Sequence, residues 1–414
     1  MTSLADKLRA LGVKVGAADL PRPTPSKRFE IHTVVAGDYR PTRAGDVFTA
    51  QQLFSGDYLH GHASIRLESL PPALTTWARD PRLAGLNPER LAFLDTETSG
   101  LAGGTGTYAF LVGVGRFVDG WFQLAQFFMR DPAEEPAMLE ALTEFLAPCQ
   151  ALVTFNGRAF DVPLLNTRYA LHRIPLPYQD YSHIDLLPLA RRLWRDRLPS
   201  RALKYLEEAI LQAPRTSEEV PGYEIPWLYF DYLRTRDANP LKGVFYHNAM
   251  DVVAMAALLS HMSLMLGDPF NGHVEHGLDF IALGKLFEDL DRWEEAARLY
   301  ERGLESDLTE PDFWVAVKRL SILQKRRGDL SQALRWWEQA AGQGHLYAHI
   351  ELAKYYEHQG RDAQAAWHWA TAAREQASRQ EMAAYIRKHW LDEIDRRLAR
   401  LQRKLGAAHP AAGG

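Results

Sequence analysis

Residues 91–94 form a short apolar run, and the chain leaves it through Asp95, Thr96 and Glu97. A buried strand that ends in two carboxylates is hard to reconcile with most folds. Residues 95 and 97 are two apart, so on a continuing strand both side chains project from one face. Carboxylates held close together repel one another and lose hydration. A hard divalent cation bound between them removes both problems. A strand-end Asp95 that caps a loop, with Glu97 solvated, accounts for these two residues equally well. Downstream acidic motifs decide between the readings.

The second acidic motif is Phe155-Asn156-Gly157-Arg158-Ala159-Phe160-Asp161. It predicts a strand over 151–155, a turn at Asn156-Gly157, and Asp161 at the start of a helix over about 160–172. The helix dipole favours a carboxylate there, so a plain N-terminal cap is the alternative role for Asp161. The third motif is Tyr246-His247-Asn248-Ala249-Met250-Asp251, on a long helix predicted over 245–266 and ended by Gly267 and Pro269. His247 lies four residues before Asp251, which leaves the two side chains only about 40° apart around a helix axis. Both can point at one site, whereas Tyr246, five residues before, is swung away. Four carboxylates without cysteine suit Mg²⁺ or Mn²⁺. Two such ions about 3.5–4 Å apart can activate a water and hold the leaving oxygen of a phosphodiester. A histidine with its ordinary pKa of about 6.5 can take the proton from that water near neutral pH.

At 414 residues the chain has room for two or three domains. Its 46% hydrophobic and 24% charged content is ordinary for a soluble globular protein. Net charge is −4, so there is no global basic field, and any nucleic-acid contact must be local. Cys149 is the only cysteine. That excludes a disulfide framework and a cysteine-built zinc site, and fits a cytoplasmic location. The stretch MTSLADKLRALGVKVG lacks the apolar core of a signal peptide, and no run of 18 uninterrupted apolar residues suggests a membrane span.

In chain order, residues 1–26 read as a short helix and a Pro-rich linker. Residues 27–90 mix strand-like runs with turns, a lead-in packed on or preceding the next domain. Apolar runs at 108–117 and 121–128 flank the hairpin signal Val118-Asp119-Gly120. Pro136 then opens a helix with Met138, Leu139, Leu142, Phe145 and Leu146 on one face. The order predicts a mixed α/β sheet flanked by helices over 91–268. The stretch 214–240 holds four prolines and several aromatics, a long loop with short helical turns, and its length suggests function. Beyond residue 275 similar segments start at Trp293, Leu330 and Asp362, 37 and 32 residues apart. Each carries a small residue (Ala296, Ala333, Ala365) and an aromatic (Tyr300, Trp337, Trp369) at matched places. A period of about 34 residues is the tetratricopeptide signature, so an all-α repeat domain is expected over 275–405, with a disordered tail at 406–414. Such arrays usually bind another chain. Arg396, Arg397, Arg400, Arg403 and Lys404 predict a final capping helix with a solvated basic face.

The segments DTET, NGRAFD and HNAMD resemble the three motifs of the DEDD family of 3′–5′ exonucleases, which have the ribonuclease H-like fold. Together with DTETSGLAGGTGTYAFLVGVG, RALKYLEEAIL, PGYEIP and the repeat tail, they closely resemble the bacterial YprB-like (mitomycin repair factor B-like) proteins. The resemblance covers nearly the full length and is weakest over the first 90 residues. It implies that Asp95, Glu97, Asp161 and Asp251 hold two Mg²⁺ or Mn²⁺ ions and that His247 is the general base. One departure concerns the base. Proofreading-type members with histidine place it five residues before the last aspartate, and those with tyrosine place it four before. Here Tyr246 stands at five and His247 at four, a spacing shared with YprB-like members.

The expectation is therefore a metal-dependent 3′–5′ DNA exonuclease in DNA repair. Its partners would be single-stranded DNA or a 3′ end, and a helicase or other repair protein at the tetratricopeptide domain, with no membrane. The alternatives are an RNA 3′–5′ exonuclease and a tetratricopeptide adaptor with a vestigial nuclease domain. Candidate substrate contacts are Ser99, Gly100 and Leu101 after the first motif, Asn156, and Arg191 and Arg192. The last two open a basic run with Arg195, Arg197, Arg201 and Lys204, which reads equally as a phosphate track or a solvated helix face. Gly103, Gly104 and Gly106 permit close backbone approach or simply a flexible loop. His183 and Asp185 are assigned to the fold.

Overall fold

The computed structural model describes residues 28–100, 106–379 and 381–408, so the expected N-terminal helix and linker fall outside the described residues. Two compact units emerge, each built from three chain segments. The first takes the described residues up to Gly56, then Glu89–Tyr181 and Pro214–Ala254. The second takes Asp57–Pro88, Ser182–Ala213 and the described residues from Met255 onward. The lead-in before residue 90 is thus divided between them.

The described strands are β1 (Asp38–Thr42), β2 (Gly45–Ser55), β3 (Leu59–His60), β4 (Ala63–Ser64), β5 (Leu91–Thr98), β6 (Ala109–Val118), β7 (Trp121–Phe128), β8 (Ala151–Thr154) and β9 (Ser182–Asp185). In the first unit six strands form a mixed sheet in the order β1-β2-β7-β6-β5-β8. Strand β5 pairs antiparallel with β6 on one side and parallel with β8 on the other. Flanked on both edges and covered on both faces, it buries Leu91, Ala92, Phe93 and Leu94 completely or nearly so, which is why its body reads as an uninterrupted apolar run. The β6–β7 hairpin turns at Asp119 (φ 48°) and Gly120 (φ 81°). Both left-handed positions are what a two-residue turn needs to match strand twist.

Helix Glu135–Leu146 buries Met138, Leu139, Leu142, Phe145 and Leu146, the face its spacing predicts, and Asp161–His172 follows β8. The long helix Leu241–Gly267 starts four residues earlier than expected. It is long and apolar enough to cross a membrane by composition, but 78% of its most apolar window is buried inside the protein. It is a core helix.

Two glycines in β6 let that helix approach. A Cβ on Gly113 would stand 2.2 Å from Asn248 Oδ1, and one on Gly115 would stand 2.8 Å from Val252 Cγ1. Gly113 and Gly115 share a face of the strand, and Asn248 and Val252 are one helical turn apart. The missing side chains form the groove in which the helix lies.

The chain ends in a helical region: Gly277–Asp289, Trp293–Leu304, Glu310–Arg326, Leu330–Gly342, Leu346–His358, Ala363–Arg379 and Ala384–Ala408. Ala296, Tyr300, Ala333 and Trp337 are buried as matched positions. The third segment is shifted by one residue from the sequence alignment. Its helix starts at Ala363, and the buried residues are Ala366 and Ala370, while Ala365 and Trp369 are only half-buried. Alanines stand at 363, 365 and 366 alike, and Trp367 and Trp369 are both only half-buried, so the register was legible only from packing. The last helix runs to Ala408, beyond the expected boundary at 405, and residues 409–414 lie outside the described residues.

The basic face of that last helix is not simply solvated. Arg397, Arg400 and Lys404 converge on Glu357, whose side chain is fully buried; Arg400 Nε lies 2.6 Å and Lys404 Nζ 3.2 Å from its carboxylate. These cations, Arg400 first, hold Glu357 down to about 2. Its stabilising effect is complete above the ordinary carboxylate value of 4.5 and is lost as pH falls towards about 2. Acid denaturation of wild type should therefore show a loss of helical signal in that window, and Glu357→Gln should abolish that contribution, as read by circular dichroism. Gly113→Ala should displace Asn248 and destabilise the fold by about 1–3 kcal/mol in denaturant unfolding.

Candidate active site

Asp95 and Glu97 emerge at the carboxyl end of β5, with Asp95 paired opposite Gly113 and Glu97 opposite Leu111. Glu97 is buried and Asp95 half-buried. Both carboxyls are pushed well above their ordinary range. Burial is the main cause for each. For Asp95 the charges of Asp251, Glu97 and Asp161 add to it and the Asn248 hydrogen bond opposes it. For Glu97, Asp251 and Asp161 add, and Arg215 opposes. Four carboxylates from β5, the helix after β8 and the long core helix thus act on one another within one site.

Each of three carboxylates is held by a donor of the chain. Asn248 Nδ2 donates to Asp95 Oδ2 at 2.9 Å. The Thr96 hydroxyl donates to Asp161 Oδ1. Arg215 donates to Asp251 Oδ1, and its other guanidinium nitrogen lies 3.0 Å from Glu219 Oε1. Asp161 is the first residue of its helix, and the cap position is Phe160, which makes no side-chain cap. Among the described residues no group of three or more His, Cys, Asp or Glu side chains stands in metal-ligand arrangement.

His247 and Asp251 lie on one face of the core helix, with Nε2 3.5 Å from Asp251 Oδ2. The other ring nitrogen, Nδ1, faces Glu219 Oε1 at 2.9 Å and the Val220 carbonyl at 3.2 Å. Both partners of Nδ1 are acceptors, so a proton on Nδ1 satisfies them, while Nε2 faces the Asp251 carboxylate. Tyr246 points elsewhere: its hydroxyl accepts from the Thr216 amide at 3.0 Å, and it lines a separate cavity of about 280 Å³ with Gln52 and Lys242.

The remaining expected contacts divide. Ser99 exchanges hydrogen bonds with the backbone of Tyr108 and closes the base of the loop after β5. Leu101, Gly103 and Gly104 lie outside the described residues. Gly100 and Gly106 have nothing within 4 Å of where a Cβ would stand, so packing does not require them. Asn156 adopts φ 67°, a left-handed conformation Asn tolerates, and Gly157 beside it avoids a collision with Thr154. Arg191 and Arg192 belong to the second unit. There Arg192 pairs with Asp289, Arg197 with Asp279 at 2.8 Å, and Asp196 with Lys285 at 2.7 Å, so much of the basic run is tied to helix Gly277–Asp289. Asp185 caps the helix Leu186–Trp194 through the Leu187 amide.

Sequence reasoning missed Thr96, Arg215, Glu219 and Gln126. Arg215 and Glu219 lie in the proline-rich stretch whose length had marked it as functional. Their spacing of four allows the Arg215–Glu219 pair, but nothing local signalled Asp251 and His247, which are 36 and 28 residues away in the chain.

The strained carboxylates lead to a stability prediction. Asp95→Asn and Glu97→Gln remove charge that burial and like neighbours oppose, so each should raise the unfolding free energy by about 0.5–2 kcal/mol. Added Mn²⁺ should raise the melting temperature of wild type and leave that of the double variant unmoved, as followed by calorimetry. A wild-type midpoint equal to that of the variants, with and without metal, would contradict this account.

A sequence model of the RNase_H superfamily (RNase_H_2) matches residues 92–263, the span that runs from β5 to the core helix. The chain is 33% identical over 359 residues to "Uncharacterized protein YprB" of Bacillus subtilis (strain 168), covering 83% of each chain. Among solved structures, a family B DNA polymerase of the hyperthermophilic archaeon Pyrobaculum calidifontis aligns with TM-score 0.33 and 17% identity. That alignment covers 50% of this chain and 30% of the polymerase, and a likeness so slight carries no argument. By its identity and shared length with YprB, and by the superfamily match across its sheet and core helix, this chain belongs to the YprB-like family of ribonuclease H-fold proteins.

Proposed function

We propose that the chain is a metal-dependent 3′–5′ exonuclease that trims DNA ends in repair. The observation that carries this reading is the burial of Asp95 and Glu97 together, each raised further by Asp161 and Asp251. A structural scaffold has no use for that arrangement, since clustered acids lower stability. Membership of the ribonuclease H superfamily supports a nuclease.

The donor set fits divalent cations: all ligands are hard oxygens, and Arg215 is the cation that opposes the charge at Glu97. Asp95, Glu97, Asp161 and Asp251 would hold two Mg²⁺ or Mn²⁺ ions, which supply Lewis-acid neutralisation of the phosphodiester when bound. The chain's own residues do the rest. His247 Nε2 takes the proton of the attacking water. Glu219 orients the ring through Nδ1, so that Nε2 faces Asp251. Arg215 holds Glu219 in place and competes for one oxygen of Asp251. The C-terminal helices are read as a tetratricopeptide array that recruits a partner such as a helicase.

Matched 5′-labelled DNA and RNA strands, incubated with Mn²⁺ or Mg²⁺, test activity, polarity and sugar preference together. Wild type should give a ladder of progressively shorter labelled DNA, stopped by chelation. Asp95→Ala and Asp251→Ala should each lower the rate by roughly 10³-fold or more while remaining folded. Glu219→Gln should cost roughly 10- to 100-fold, the scale of lost outer-shell partners. Preferential digestion of the RNA strand selects the RNA exonuclease instead. Full activity in both alanine variants would refute the site.

A further inference from the structure

Helix Ile225–Thr235 shows two aromatic faces. Ile225, Tyr229 and Tyr232 are buried, and the Tyr229 ring stacks on Phe110 at 4.0 Å while its hydroxyl donates to the Met129 carbonyl at 3.0 Å. That face is held against the sheet, in contact with β5. The opposite face should be polar by ordinary helix amphipathicity. Instead Trp227 is 73% exposed and Phe230 43%, and Tyr223, just before the helix, is 72% exposed. Trp227 and Phe230, three apart, share this outer face of the helix, and Tyr223 stands in the turn two residues before it. Arg234 continues this face and is paired with Asp231 at 3.0 Å, so the stripe carries little net charge.

The stripe begins beside the candidate active site. A Cβ built on Gly222 would stand 3.9 Å from His247 Cε1 and 4.0 Å from Nε2. Tyr223 is the next residue.

We propose that Tyr223, Trp227 and Phe230 form a stacking platform for the bases of a single-stranded nucleic acid whose end enters the carboxylate site. The proposal rests on the nuclease reading for its choice of ligand. Aromatic faces hold bases without regard to sequence, since every base has a π-face. Each stacked base is worth about 1–3 kcal/mol by alanine substitution, roughly 5- to 150-fold in affinity.

The test uses the full-length protein and a short fluorescein-labelled oligothymidylate, with binding followed by anisotropy in the presence of chelator so that no turnover occurs. Trp227→Ala should weaken binding roughly 5- to 150-fold, and Trp227→Phe should keep most of it. Because the side chain is exposed, unfolding is not expected, and calorimetry verifies it. With Mn²⁺ present, Trp227→Ala should cleave bis(p-nitrophenyl) phosphate, which has no bases, at the wild-type rate, yet show a raised KM on the oligonucleotide. Wild-type oligonucleotide affinity in the Tyr223→Ala/Trp227→Ala double variant overturns the platform and makes the stripe a docking face for another protein. Trp227-dependent binding without hydrolysis of any strand would keep the platform and sink the nuclease reading. Hydrolysis with Trp227-independent binding would do the reverse.

Discussion

A single buried amide connects the three layers of the candidate site. Asp95, Gly113 and Gln126 stand in register across β5, β6 and β7. Asn248 comes down over Gly113 from the core helix, accepting from Gln126 at 2.9 Å and donating to Asp95 at 2.9 Å. It has no exposed surface. In such a place an unmade hydrogen bond costs the full desolvation of the group, so the bridge fixes where the helix sits along the sheet. Helix placement in turn decides where His247 and Asp251 face. The absence of a side chain at Gly113 is what makes room for the amide, and Gln126 also donates to the Phe245 carbonyl at 2.8 Å, one turn earlier on the same helix.

From that seat a second polar network extends outwards. Arg215 joins Asp251 to Glu219, and Glu219 joins the arginine to His247. Arg215 and Glu219 side chains are almost entirely buried. Buried charge persists where it is paired and hydrogen-bonded, and here the pairing sets the orientation of an imidazole. The same segment then continues through Gly222 into the helix whose outer aromatics we assign to base stacking. One stretch therefore braces the histidine with its first residues and offers a surface to ligand with its last.

The C-terminal helices use the same physics for a different end. Glu357 is enclosed by Arg397, Arg400 and Lys404, a cluster that ties the last helix to Leu346–His358 and takes up cations the bare sequence suggests are solvated. Small residues at Ala333, Ala366 and Ala370 set how closely neighbouring helices approach, and the large rings of Tyr300 and Trp337 fill the space between.

The sequence by itself determined the mixed sheet with its helices, the hairpin at Asp119-Gly120, the helical C-terminal region, and the motifs that carry Asp95, Glu97, Asp161, His247 and Asp251. These are local matters: alternation, turn chemistry and helical spacing operate over a few residues and are written in neighbouring letters. Tertiary structure decided the rest. It placed β1 and β2 in the sheet, shifted the third C-terminal segment by one residue, and brought Arg215 and Glu219 to His247. It also tied Thr96 to Asp161 and left three aromatic rings facing solvent. Each of these depends on partners distant in the chain, and burial and hydrogen-bond satisfaction are properties of the packed chain that no single segment encodes.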